Sequence, residues 1–166
     1  MGKYDNLFIP MGEYEDENPQ GKWIMKAMDS DTIEGSNYYV IHWIMPGHQH
    51  PDPVGHPPHK HNEDELLFHI GTNPDDPTDL GAEIEVFIGE EMERHIINKA
   101  CVMYIPAGLI HSPWTILKTE RPWIVMQIQQ ARHRTEKFYP ELLDKKVRDA
   151  INWNSFVDHN AEAFNH

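Results

Sequence analysis

Hydrophobic and polar residues alternate with the two-residue period of β-strands through the middle of the chain. The segment NYYVIHWIMPG at residues 37–47 is dense in β-branched and aromatic side chains and ends at Pro-Gly, which predicts a buried strand followed by a turn. Further strands are predicted within ELLFHIG at 65–71, AEIEVFI at 82–88, HIINKACVMYI at 95–105 and RPWIVMQIQQ at 121–130. The central part of the chain is therefore predicted to be all-β.

The two ends of the chain lack this alternation. Residues 1–37 mix turn residues with scattered aromatics and predict an irregular N-terminal arm, packed on the domain or on a partner subunit. Residues 133–166 predict a short C-terminal helix and a polar tail, because apolar residues recur at helical spacing after a proline. We expect one domain, in which residues 38–132 form the β-structure between these two extensions.

Composition narrows the class of partner. The net charge of −13 argues against a nucleic-acid surface and against binding to anionic lipid. No apolar run approaches the ~20 residues of a membrane span, and the first residues resemble no signal peptide, so we expect a cytoplasmic protein. The single cysteine, Cys101, excludes an intrachain disulfide and is expected in the core.

Histidine and glutamate residues provide the chemistry. His59 and His61 are two apart, so in an extended segment both imidazoles leave the same face. Glu65 follows after a turn, and His111 can join them only through the tertiary fold. Three histidines and one carboxylate would bind one divalent ion and leave positions open for water or substrate, and these ligands suit Fe, Mn, Zn, Ni, Co or Cu.

Other residues compete for these roles. His48 and His50 form a second H-x-H pair, but Val54 stands where the carboxylate is needed and prolines surround the pair. We interpret them, together with His56, as polar loop residues, with substrate contact or proton transfer as the alternative. Glu63 is expected in a solvated turn, although it would replace Glu65 as the ligand if that turn were shorter.

The same residues resemble the two motifs of the cupin superfamily. His59, His61 and Glu65 match the first motif, which Gly71 closes one residue early; Pro106, Gly108 and His111 match the second in register. Three turn positions depart from the pattern: Val54 replaces the opening glycine, beside Gly55, while Ala100 and Thr115 replace a glycine and an asparagine of the second motif. The resemblance implies a double-stranded β-helix, the jelly-roll cupin barrel, with a metal at these four ligands.

Two further residues are candidate catalytic groups. Alternation puts His69 on the same face as Glu65, where it is either a hydrogen-bonded core histidine or a group that orients a ligand or acts as a base. Gln127 lies on a face shared with Gln129, and its position resembles the late cupin strand from which side chains contact substrate. The alternative for Gln127 is a solvated face of an edge strand.

Four protein ligands leave about two positions of an octahedral ion open, which favours a metal-dependent enzyme that acts on a small oxygen-rich substrate, an enol, phenol or carbonyl compound. The resemblance favours a non-haem dioxygenase-type oxidoreductase containing iron, because that chemistry is frequent among single-domain cupins with this ligand set. A metal-dependent lyase or isomerase, and a non-catalytic cupin that binds a small molecule, remain the alternatives. Many cupins dimerise, so a homodimer is also expected.

Overall fold

The computed structural model describes residues 2–8, 22–28, 34–47 and 53–156. Its β-strands are β1 (Lys22–Met28), β2 (Tyr38–Ile44), β3 (His59–Lys60), β4 (Glu65–Gly71), β5 (Asp79–Ile88), β6 (Glu93–Lys99), β7 (Cys101–Ile105), β8 (His111–Thr119), β9 (Trp123–Gln129) and β10 (Lys137–Phe138). One α-helix, α1 (Lys145–Ala150), follows, and 3-10 turns cover Asp5–Leu7, Pro140–Leu142 and Trp153–Phe156. Within these ranges no helix has the length and apolar character needed to cross a membrane.

The strands form two five-stranded antiparallel sheets. The first has the order β1-β2-β9-β4-β7 and the second the order β10-β3-β8-β5-β6. Neighbours in each sheet are mostly distant in sequence, so the chain crosses repeatedly from one sheet to the other. This arrangement confirms the predicted all-β jelly roll with a short C-terminal helix.

The core lies between the inner faces of the two sheets. Ile44, Leu80, Ile84 and Trp123 are fully buried there, and they come from β2, β5 and β9. In β2 the buried positions alternate with half-buried ones, which settles that the face carrying Val40, His42 and Ile44 points inward. The period-2 pattern of the sequence thus sorts the side chains of β2 into two faces, and their burial shows which face lies against the core.

Three details refine the sequence interpretation. Cys101 is exposed instead of buried, because β7 is the last strand of its sheet. Within the predicted arm, β1 pairs with β2 and extends the first sheet. The predicted C-terminal helix is divided, because Leu143 and Asp144 have extended ψ angles of 144° and 141° between the 3-10 turn and α1.

Candidate metal centre

Short elements of the second sheet and the start of β4 bring the four predicted ligands together. His59 in β3 stands directly opposite His111, the first residue of β8. His61 follows β3, and its carbonyl accepts a hydrogen bond of 2.8 Å from the Gly108 amide in the turn before β8. Glu65 begins β4. Gly108 has φ +81°, a conformation that favours glycine, so this turn explains the glycine of the second motif.

The four side chains converge on one point. His61 Nε2 lies 3.1 Å from His59 Nε2 and 3.0 Å from Glu65 Oε2, and His111 Nε2 lies 3.3 Å from the same carboxylate oxygen. The four ligand atoms all lie within 4.8 Å of one another, and each residue is at most 4% exposed. Two donors that each lie ~2.1 Å from one ion, roughly at right angles, are about 3 Å apart, so these separations fit a shared metal.

Each of the three rings donates a hydrogen bond through Nδ1, and the Gln129 amide nitrogen also lies 3.2 Å from His61 Nε2. His59 Nδ1 donates to the Pro57 carbonyl at 2.8 Å, His111 Nδ1 to the Leu109 carbonyl at 3.1 Å, and His61 Nδ1 to the Thr135 carbonyl. A neutral imidazole that donates through Nδ1 has a lone pair on Nε2. All three rings are therefore held in the tautomer that binds a metal through Nε2.

Charge and burial support the same conclusion. Burial, together with the neighbouring His111, lowers the pKa of His59 well below its usual value, so the ring is neutral and able to coordinate. When His111 and His61 donate hydrogen bonds to Glu65, they outweigh burial and hold the pKa of its carboxyl group well below the ordinary range. When both rings donate through Nδ1 instead, a cation has to take over this role. Glu65 Oε2 has no hydrogen-bond donor among the described residues. A buried anionic oxygen facing three nitrogen lone pairs requires a cation, so the residues fit a divalent metal.

A second cluster, formed by His56, Arg134 and Glu136, lies beside His59. Glu136 Oε1 is 2.7 Å from His56 Nε2 and 3.4 Å from His59 Nε2, and Arg134 Nη2 donates to the same oxygen at 2.5 Å. Burial alone would raise the pKa of Glu136, but Arg134 and His56 outweigh it and lower that pKa below its usual value. Glu136 is therefore a buried carboxylate anion neutralised by an arginine.

The second cluster is not an independent metal site, although His56, His59 and Glu136 could be grouped as ligands. His59 uses Nδ1 for the Pro57 carbonyl and has only Nε2 to offer, which faces the first set. The Arg134 guanidinium already supplies the positive charge that a cation would bring. The cluster is better described as a polar wall of the candidate centre.

His56 is held more firmly than a loop residue. Its backbone pairs with Trp114 of β8 through hydrogen bonds of 3.1 and 3.2 Å, and its ring contacts Glu136. His48 and His50 lie outside the described residues. Glu63, expected in a solvated turn, accepts hydrogen bonds from the Thr135 amide at 2.8 Å and hydroxyl at 2.6 Å, and so holds the segment that orients His61.

The two candidate catalytic residues occupy different surroundings. His69 lies in the core, where Trp114 Nε1 donates to its Nε2 at 3.1 Å and Trp123 stacks on its ring at 6.0 Å between centroids. Burial lowers the pKa of His69 to about 4, so the ring is neutral near pH 7. Gln127 is half-buried on the inward face of β9, opposite Val40 and Leu67. Catalytic roles for both residues remain predictions.

Three polar residues of the site were not among the candidates chosen from the sequence. Gln129 is fully buried, with its amide nitrogen 3.1 and 3.2 Å from the ring nitrogens of His61, while its Oε1 has no partner among the described residues. The shared face with Gln127 pointed to this position, but alternation does not distinguish the two. Arg134 and Glu136 lie in the polar stretch after β9, where no pattern in the sequence indicated burial.

Comparison with known proteins gives matches at the level of structure. No family model matches the sequence, and no curated protein does either. A recombinant oxalate oxidase in complex with glycolate matches with a TM-score of 0.50 and 16% identity, over 82% of this chain and 65% of the oxidase. An oxalate decarboxylase from Lactobacillus farciminis, in a formate complex, gives a TM-score of 0.49 and 16% identity, over 79% of this chain and 34% of the decarboxylase.

This chain therefore spans less than two thirds of either matched protein. Identities this low show similarity of fold alone. The antiparallel two-sheet architecture, the match to oxalate oxidase and the buried set of three histidines and one glutamate agree with one another. The chain has a jelly-roll fold similar to that of the matched oxalate oxidase, and its buried cluster of three histidines and one glutamate could hold a metal ion.

Proposed function

We propose that this protein is a metal-dependent oxidoreductase of the non-haem dioxygenase type, acting on a small oxygen-rich substrate such as an enol, a phenol or a carbonyl compound. The observation that carries the proposal is the convergence of three Nε2 atoms and one carboxylate oxygen in a buried position. Four protein ligands leave room in the coordination of an octahedral ion for a chelating ligand. Iron is the metal that we propose.

The polar wall around the four ligands supports turnover over simple metal storage. Glu136 Oε2 and Gln129 Oε1 are buried acceptors without hydrogen-bond partners among the described residues. Such groups cost about 1–3 kcal/mol each, which a site made only to hold a metal has no reason to bear. They are the groups expected where a polar ligand completes the site. The oxalate oxidase of the same fold, which binds glycolate, adds support for a small oxygen-rich ligand.

The side chains have distinct tasks in this mechanism. His59, His61, His111 and Glu65 would hold the metal, and the main-chain carbonyls that accept from Nδ1 fix the three rings against rotation. A bound iron would supply Lewis acidity and one-electron redox chemistry. Phe138 packs at 5.8 Å from the His59 ring and 5.8 Å from the His56 ring, measured between centroids, and excludes water from that side. The buried amide of Gln129 would orient a ligand beside His61.

Elemental analysis of protein purified without a chelator or a polyhistidine tag tests this proposal. We expect about one iron per chain, together with oxygen uptake in the presence of catechols or diketones. Manganese, zinc or nickel without oxygen uptake would favour lyase or isomerase chemistry instead. Protein that binds no metal even on reconstitution would contradict the proposal and leave a small-molecule-binding barrel. The homodimer expected from the sequence stays a prediction.

A further inference from the structure

Glu136 places a second carboxylate beside the candidate centre, from a part of the chain that the cupin motifs do not include. It is 2% exposed, and Oε1 accounts for all three of its contacts described above, those with His56, His59 and Arg134. Oε2 is fully buried and has no hydrogen-bond partner among the described residues. Because a buried carboxylate oxygen without a donor is costly, this atom is expected to have a partner in the working protein.

The position of Glu136 indicates what that partner is. Oε1 lies 3.4 Å from His59 Nε2, the nitrogen that faces the shared metal position. A ligand bound next to His59 would therefore lie beside this carboxylate. Arg134 and His56 keep the carboxylate anionic and fix its orientation, so Oε2 can only accept a hydrogen bond. Arg134 Nε, a buried donor of the same cluster, also has no hydrogen-bond partner among the described residues. A hydroxyl group of a ligand bound beside His59 would supply the donor that Oε2 lacks.

We propose that Glu136 is a specificity-determining residue that accepts a hydrogen bond from a hydroxyl group of the substrate. The substrate class would be a chelating compound that keeps a hydroxyl proton when bound, such as an α-hydroxy ketone, an enol or a catechol monoanion. This inference rests on the proposed function, because it requires a small ligand at the metal. It narrows that function by excluding chelators that offer only acceptors, whose oxygens would face the Glu136 anion without a proton between them.

The test uses full-length protein loaded with Co(II), which is stable in air, and two coloured probes. One probe is 4-nitrocatechol, and the other is 4-nitroguaiacol, in which a methyl ether replaces one hydroxyl. The variant Glu136→Gln removes the charge of the acceptor and keeps the shape of the side chain. Glu141→Gln, at an exposed position, is the matched control. Metal content and dissociation constants are measured for all three proteins.

We expect Glu136→Gln to keep its cobalt and to bind 4-nitrocatechol about tenfold more weakly, the effect of losing a hydrogen bond to a charged group. Its affinity for 4-nitroguaiacol is expected to stay the same or to rise, because the site loses a negative charge near an anionic probe. A loss of affinity for 4-nitrocatechol that 4-nitroguaiacol does not share distinguishes the loss of a hydrogen bond from the loss of a charge. Equal changes for both probes, or none, would overturn the role of Glu136.

Failure of the proposed function gives a different result. Cobalt-loaded wild-type protein that binds neither probe would overturn both proposals, whereas wild-type protein that binds both probes with no dependence on Glu136 would overturn only this one. If Glu136→Gln does not fold because Arg134 loses its partner, the double variant Glu136→Gln with Arg134→Met removes both charges together. The same selective loss of 4-nitrocatechol affinity is expected from that variant.

Discussion

Each histidine of the candidate centre uses its two ring nitrogens for different purposes. Nδ1 donates to a carbonyl of Pro57, Leu109 or Thr135, and Nε2 faces the shared position. Two of the three carbonyls belong to the residue two before the histidine, so local backbone geometry sets the tautomer of His59 and His111. The carbonyl of Thr135 is remote in sequence, so His61 depends on the tertiary fold. The lone pairs of all three rings are thereby prepared for a cation before it binds.

Removal of either opposing histidine is expected to abolish high-affinity metal binding. His59→Ala and His111→Ala each delete one of four ligands from a buried set, and neither residue belongs to the hydrophobic core cluster. We expect each variant to lose most of its bound metal while its far-UV circular dichroism stays that of a folded β-protein. The control is His95→Ala, at an exposed position, and this variant is expected to keep as much bound metal as the wild-type protein. Unchanged metal content in both site variants would refute the assignment of the ligands.

His69 is expected to make stability depend on pH. Its pKa falls from 6.5 to about 4 in the folded chain, so between these values the unfolded state binds more protons and stability is lost as the pH falls. The full difference of 6.5 − 4 = 2.5 pKa units corresponds to about 3 kcal/mol, which is present above the unfolded pKa.

Urea unfolding in the presence of a chelator, from about pH 7 to about pH 4, measures this effect. His69→Gln keeps an acceptor for Trp114 Nε1 and does not titrate. The wild-type protein is expected to lose about 2–3 kcal/mol more than this variant over the range. Parallel stability curves for the two proteins would show that His69 does not contribute.

At the scale of elements, the strands can be predicted better than the termini and the turns, because their two-residue period is visible in the sequence. Alternation divided the side chains of β2, β4, β5 and β9 into two faces, because a strand with one buried face must repeat every two residues. For β2 and β9 it left open which face points inward, and the burial of their side chains in the structure decides this. Alternation did not place Arg134 and Glu136, which lie in a stretch without regular structure. Their burial follows from the pairing of β10 with β3, a contact between segments far apart in sequence. No local pattern encodes such a pairing.

Gly55 fixes how closely the chain before β3 approaches β8. A Cβ atom at this position would lie 2.2 Å from the Trp114 carbonyl oxygen, which belongs to the backbone and cannot move aside freely. Gly55→Ala is therefore expected to destabilise the fold by about 2–3 kcal/mol in urea unfolding and to weaken metal binding by displacing His59.

The control for Gly55 is Gly35→Ala. A Cβ there meets nothing within 4 Å, and only its φ of +81° opposes the substitution. Its expected cost is about 1 kcal/mol, without an effect on metal affinity. Equal costs for the two variants would contradict the steric explanation. The departure of the first motif, with Val54 in place of glycine, is consistent with Gly55 providing the close approach.

Glu63 is expected to influence the metal without touching it. It holds Thr135 through two hydrogen bonds, and the Thr135 carbonyl orients His61. Glu63→Ala should lower metal affinity about tenfold, the usual effect of removing a group that supports a ligand. Competition with a chromogenic chelator measures the affinity, and Glu90→Ala, at an exposed position, is the control. If the two variants bind metal equally well, Glu63 has no such role.

At the scale of the whole molecule, the centre joins segments that the sequence separates widely. The ligands come from β3, the turn after it, β4 and β8, and the segment around β10 closes the remaining side. The Tyr139 amide donates to the Pro58 carbonyl at 2.9 Å, and Phe138 contacts the rings of His56 and His59. The metal site and the docking of the C-terminal segment are therefore parts of one structure.

Metal binding is consequently expected to stabilise the entire fold. A metal that binds the folded chain alone adds about 2.7 kcal/mol when its free concentration is 100-fold above the dissociation constant. For a chain of 166 residues this raises Tm by roughly 5–10 °C. Part of this stabilisation is expected because the metal removes the repulsion between the lone pairs of His59 and His61, whose Nε2 atoms are 3.1 Å apart.

Hydrogen exchange would locate this stabilisation. Because Thr135 and Phe138 contact the ligands directly, the Tyr139 amide is expected to exchange more slowly when metal is added, although no residue of β10 is a ligand. His59→Ala supplies the control, since it should show neither the rise in Tm nor the added protection. A rise in Tm without slower exchange at Tyr139 would mean that the barrel responds to the metal while the C-terminal segment does not. We expect the metal to raise Tm and to slow exchange at Tyr139 in the wild-type protein, and we expect His59→Ala to lose both effects together.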